Sequence, residues 1–124
     1  MDLLRIAGTV TAATSTGSQS GHAALSAPID EQFPVDHSRA NLHYTLASDS
    51  PQAVALDGLS ASFVLVKANT KIRVRLTSTD GSQQSIPCTF LLLRSEDVPF
   101  TAIDLTRQTG VETLVDVTVG IVPA

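Results

Sequence analysis

The sequence predicts a small all-β domain, an antiparallel β-sandwich or barrel of about eight strands. Three observations lead there. After Asn41, apolar and polar residues alternate with a period of two through most of the chain. Clusters of turn-forming residues (Ser48-Asp49-Ser50-Pro51, Asp57-Gly58, Thr79-Asp80-Gly81-Ser82, Gln108-Thr109-Gly110) cut that alternation into short segments. No segment carries a capped 3.6-residue period; a turn of helix at Leu59-Ser60-Ala61 is the most that could be drawn.

Taken in order, Leu3–Val10 reads as a first strand, with Leu4, Ile6 and Val10 on one face. From Thr11 to Ala27 the composition falls to Ala, Ser, Thr, Gly and Gln, which buries too little apolar area to offset ordering, so an irregular, extended N-terminal arm is expected. Pro28 and Pro34 bracket the acidic Asp30-Glu31 and keep the chain extended or turned. Residues 1–40 therefore form a strand plus arm, and residues 41–124 the sandwich core of a single domain. Leu42, Tyr44 and Leu46 face one way on the next strand, and Val54 and Leu56 mark a short strand ended by Asp57-Gly58. Phe63-Val64-Leu65-Val66 is apolar on both faces and belongs in the middle of a sheet. Asn69-Thr70 turns the chain into Lys71–Thr77, whose alternation is the clearest in the protein, and Asp80-Gly81 signals a hairpin. Strands follow at Phe90–Leu93 behind Pro87, at Ile103–Leu105 and at Val115–Ile121.

A chain of 124 residues buries roughly two-thirds of its unfolded surface, enough for one core. With four Phe, one Tyr and no Trp, that core is Val, Leu, Ile and Ala. The scarcity of aromatic faces argues against a carbohydrate module or a single-strand nucleic-acid binder. A net charge of −4 sets the global field against nucleic acid and anionic membranes. No apolar run is long enough to span a membrane, and Met1-Asp2-Leu3-Leu4-Arg5 lacks the features of a signal peptide. The single cysteine, Cys88, reads as a buried structural thiol.

No catalytic constellation, cofactor motif or metal motif stands out, and a non-enzymatic protein is expected. Asp36, His37 and His43 could meet, with Asp30 or Glu31, in a two-histidine metal site, but their spacing matches no metal motif. Gly17-Ser18-Gln19-Ser20-Gly21 has Gln where a nucleophile elbow needs Ser. The feature that stands out is charge placement. Lys67, Lys71, Arg73 and Arg75 are half of the eight basic residues, and the last three share the strand face opposite Ile72, Val74 and Leu76. They read either as a solvated face that discourages edge pairing or as a basic stripe for an acidic partner. The acidic Asp30, Glu31 and Asp36 of the arm are the other partner-binding candidates.

From Val54 to Val122 the pattern resembles small virion proteins of tailed bacteriophages. The resemblance is carried by Leu56-Asp57-Gly58, Phe63-Val64-Leu65-Val66, Ile72-Arg73-Val74-Arg75-Leu76, Phe90-Leu91-Leu92-Leu93 and Val115-Asp116-Val117-Thr118-Val119. It implies a jelly-roll-like sandwich that decorates or cements a capsid, assembled in the host cytoplasm and resident in the virion. Its implied partner is the major capsid protein or another virion protein, with a dimer or trimer of the chain matching local shell symmetry. A tail or head–tail accessory protein, and a small carbohydrate-binding sandwich, are the alternatives.

Overall fold

The computed structural model describes residues 2–14, 22–95 and 97–122. All described regular structure is β: β1 (Asp2–Thr14), β2 (His22–Val35), β3 (His37–Leu46), β4 (Gln52–Ala53), β5 (Ser60–Ser78), β6 (Gln83–Arg94), β7 (Phe100–Arg107) and β8 (Thr113–Val122). Leu3–Pro34 forms one compact unit, and Asp2 with the chain from Val35 onward forms the other.

In the first unit β1 and β2 form a two-stranded sheet. Its outer positions alternate as a strand requires, with Leu3 and Arg5 exposed and Leu4 and Ile6 half-buried. Arg5 makes a bidentate link across the pair to Asp30, at 2.9 and 3.1 Å. The structure differs here from the irregular arm expected over Thr11–Ala27. Thr11–Thr14 continue β1 and His22–Ala27 open β2, while the Ser/Gly-rich centre, residues 15–21, lies outside the described residues. Main-chain pairing, which is indifferent to side-chain polarity, overrides the low apolar content.

The second unit is organised by β5. The expected turn at Asn69-Thr70 is instead a bulge inside one continuous strand, and β5 bends there without ending. Along the β5–β6 ladder the four residues Ala68–Lys71 stand opposite Thr89 alone, between the pairs Lys67↔Phe90 and Ile72↔Cys88. Such an excess on one strand forces a sharp bend. Before it, β5 pairs with β8 (Ser60↔Val122 to Ala68↔Val115); after it, with β7. Partners along Ile72–Thr77 descend from Arg107 to Ala102, the sense of an antiparallel ladder, and the isolated parallel bridge is Ala61↔Phe100. Phe100 thus neighbours both Ala61 and Ser78, the two ends of β5, which the bend has folded together.

The hydrogen-bonded network is therefore two layers joined through β5 and β6. One layer runs β3–β8–β5–β6 through Phe63–Lys67 and Phe90–Arg94; the other runs β4–β7–β5–β6 through Ile72–Thr77 and Gln83–Cys88. With β5 and β6 each counted once per layer, this is an eight-segment, jelly-roll-like sandwich. Core side chains come from both layers: Val64, Val66, Val117 and Val119 from the first, Ile72, Val74, Ile103 and Leu105 from the second. Each such side chain contributes about 1.5–3 kcal/mol by leaving water.

Side-chain bonds hold the bend and the seam. Asn69 Oδ1 accepts from the Leu114 amide at 3.1 Å, and Thr70 bonds Thr109 at 3.2 Å. Across the opposite seam the Tyr44 hydroxyl accepts from the Ala55 amide (3.0 Å), and Arg39 donates to the Ala55 carbonyl (2.8 Å) and pairs with Asp57 (2.7 Å). Val54 and Leu56 are buried as expected but lie beyond the two-residue β4, because Asp57 (φ 54°) and Gly58 (φ 78°) turn the chain there. No helical turn forms at Leu59–Ala61: Ser60 and Ala61 already belong to β5. β6 runs straight through Pro87, which an edge strand tolerates because the missing N–H can face away from the ladder.

A second packing site lies on the outer face of the first layer, where Val35 covers Gly120. A Cβ at Gly120 would sit 2.9 Å from Val35 Cγ1 and 3.2 Å from Phe63 Cβ, both on buried residues. Gly120→Ala is expected to lower stability by about 1–3 kcal/mol in denaturant titration, and adding Val35→Ala should recover part of that loss. Simple additivity of the two effects would show that the contact is not limiting.

Candidate interaction surface

The bend divides the basic stripe. Lys67 lies in the first layer, directly across from Asp116 on β8 and Phe90 on β6. Lys71 ends the bulge, and Arg73 and Arg75 lie in the second layer, where Arg75 faces Asp104 on β7 and pairs with it at 3.2 Å. All four side chains are on outer faces, as their spacing predicts, because β5 keeps its parity through the bulge: Val64, Val66, Ile72, Val74 and Leu76 all point inward. Among the described residues, Lys67, Lys71 and Arg73 enter no ion pair, whereas Arg75 is committed.

The acidic candidates divide as well. Asp30 is paired with Arg5 and Glu31 is exposed, both on β2 in the Leu3–Pro34 unit. Asp36 sits in the bend between β2 and β3 in the other unit, and its amide donates to the Ile121 carbonyl at 2.7 Å. His37 and His43 lie toward opposite ends of β3's pairing with β8. His43 contacts Asp116 through Nδ1, on the outer face of the β3–β8 pair. His37 is registered against Ile121, about 20 Å from His43 along the strand, and the side chains of His22 and His37 lie outside the described set. Among the described residues no group of three His, Cys, Asp or Glu side chains gathers.

What the sequence did not indicate is an exposed apolar row at a sheet edge. In the first layer β6 pairs with β5 on one side, and no described strand pairs with the other. Phe90 is 57% exposed there and Leu92 36%, next to the half-buried Leu65. Phe90-Leu91-Leu92-Leu93 is apolar at every position, which reads as a strand covered on both faces; at an edge only Leu91 and Leu93 turn into the core. Together with His43, Asp116 and Lys67, Phe90 completes a line across all four strands of the layer: imidazole, carboxylate, ammonium, phenyl.

A cleft of about 310 Å3 opens where the ends of the folded β5–β6 hairpin meet. Leu76, Leu93 and Phe100 line its apolar part, and Ser78, Asp80, Ser82, Gln84, Arg94 and Ser95 its polar part. Asp80 accepts from the Ser82 hydroxyl (2.6 Å) and amide (2.9 Å), and these two bonds hold its carboxyl below the ordinary 3.8. Nearer the bend, Cys88 is half-buried against the core, and burial pushes its thiol up, which keeps it from being a ready nucleophile.

Two outcomes follow. Charge reversal at Lys71 or Arg73 should leave stability within about 0.5 kcal/mol, whereas Arg75→Glu, placing two carboxylates opposite each other, should destabilise measurably in the same denaturant series. Because the carboxyl of Asp80 is favoured in its ionised form by the fold, its contribution is present above pH 3.8 and lost as the pH falls through the lowered value. Ser82→Ala should return the Asp80 titration toward 3.8, read by NMR; an unmoved midpoint would exclude the Ser82 hydroxyl as the main cause.

No family model, no curated protein and no solved structure matches this chain.

Proposed function

We propose that the protein is a non-enzymatic structural component of a bacteriophage virion that docks on the capsid and stabilises it. The observation that carries the reading is the joining of a jelly-roll-like sandwich to a separate two-stranded unit, Leu3–Pro34. A sandwich locked by a bent central hairpin gives a firm body. A two-stranded sheet cannot close a core of its own, so it gains by lying on a neighbouring surface, and a long ribbon adds contact area there. The outer faces add exposed cations at Lys67, Lys71 and Arg73 and exposed acids at Asp30, Glu31 and Asp36, groups that orient docking more than they hold it. The strand pattern from Leu56 to Val119, which resembles small phage virion proteins, points the same way.

The cleft at Leu76, Leu93 and Phe100 favours a second reading, a small-ligand-binding sandwich, because about 300 Å3 is the lower end of ligand-pocket volumes. Glycan-array binding by the purified chain, lost in Arg94→Ala, would support it.

For the leading reading, mass spectrometry of purified virions should find the chain, and heads stripped of it should rebind it in co-sedimentation. Deletion of residues 11–27 should abolish rebinding while the sandwich still melts cooperatively. Full rebinding by that deletion would remove the ribbon from the docking role.

A further inference from the structure

We infer that the protein self-associates through β6, two copies pairing antiparallel about a two-fold axis at Leu91 and continuing the first layer from one molecule into the next. The argument begins with which backbone groups are spoken for. The Ser95 amide donates to the Ser62 carbonyl at 2.8 Å. Ser62 and Ser95 extend the register Phe63↔Arg94 to Lys67↔Phe90. In an antiparallel ladder the bonded pairs recur at every second residue, so Leu93 and Leu91 also turn their N–H and C=O toward β5. The main-chain groups of Phe90 and Leu92 point the other way, out of the sheet edge, where no described strand meets them. Their side chains are the exposed apolar ones. Both the unpaired backbone and the uncovered side chains therefore belong to the same two residues, and what satisfies both at once is another β-strand.

A second copy of β6 fits better than a generic strand because the segment is self-complementary. With the axis at Leu91, Phe90 of one molecule stands opposite Leu92 of the other, and the reverse, giving two bonded pairs and about four main-chain hydrogen bonds. Each Phe90–Leu92 pair is an aromatic–aliphatic cross-strand contact of the kind that stabilises sheets. On the inner face Leu91 meets its symmetry mate, and the remaining exposure of Leu91 and Leu93 is lost. Charge excludes one register: β6 holds one charged residue, Arg94, and no carboxylate. An axis at Arg94 would oppose two guanidinium groups, while the axis at Leu91 separates them. Pro87 ends the pairing on the other side, since it offers no N–H, and so confines the ladder to the apolar stretch. The association does not depend on what the protein docks to, so its failure would leave the capsid reading standing, and the converse.

Sedimentation equilibrium on the full chain at tens of micromolar tests it. The expected mass is twice the 13.0 kDa of the chain. The double variant Phe90→Lys/Leu92→Lys opposes like charges across the axis and should sediment as a monomer, with its dissociation constant raised at least about 100-fold and its thermal unfolding still cooperative. Phe90→Lys/Leu92→Glu opposes lysine to glutamate in the same register and should remain dimeric. A monomeric wild type, a dimeric Lys/Lys variant, or a Lys/Glu variant as monomeric as the Lys/Lys one would each overturn the inference.

Discussion

The excess of four residues over one, Ala68–Lys71 against Thr89, is the constraint on which the sandwich depends. A straight β5 of nineteen residues would be a single long strand in a single sheet with one apolar face open to water. The local mismatch folds the β5–β6 hairpin in two, so that the inward side chains of its halves, Val64 and Val66 on one and Ile72 and Val74 on the other, share one core. Because the parity of β5 survives the bulge, no inward residue is turned out by the fold. The mismatch falls on β6 instead, where inward positions pass from Ile86 and Cys88 to Leu91 and Leu93.

Both β3 and β5 use irregularity to shape the layers. On β3 the register slips between Arg39 and Leu42, and Asn41 takes a left-handed backbone (φ 59°) that asparagine tolerates better than most residues. That slip falls beside Arg39, whose guanidinium ties the edge of the first layer to the Ala55–Asp57 segment of the second. Tyr44, the sole tyrosine, spends its hydroxyl on the same segment. The seam is therefore closed by polar groups reaching across it, and the core by aliphatic ones.

Much of the sandwich is legible in the sequence because its strands alternate cleanly. The segments around Leu42–Leu46, Phe63–Val66, Lys71–Thr77, Phe90–Leu93, Ile103–Leu105 and Val115–Ile121 all lie in strands, and the inward residues are those the alternation names. What escaped was continuity. Asn69-Thr70 has turn chemistry, and nothing local says that Asn69 and Thr70 will instead bond Leu114 and Thr109 across the fold. Gln83–Cys88 does not read as a strand on its own, because polar residues and a proline are compatible with an edge strand only once the edge is known. Position in the sheet is likewise what separates a covered apolar run from the exposed Phe90 and Leu92. The basic stripe was legible as a pattern of exposure, but its division by the bend, and the engagement of Arg75 by Asp104, are properties of pairing between distant segments.

The bond from the Asp36 amide to the Ile121 carbonyl places the entry of the sandwich beside its exit. The body is thus a closed loop of chain in all but covalent connection, and its winding is independent of whatever is spliced in ahead of Val35. Topologically the Leu3–Pro34 segment is an appendix, exchangeable for another of different length or chemistry without rethreading a single strand. A lineage could exchange the appendix while leaving the strand order of the sandwich untouched.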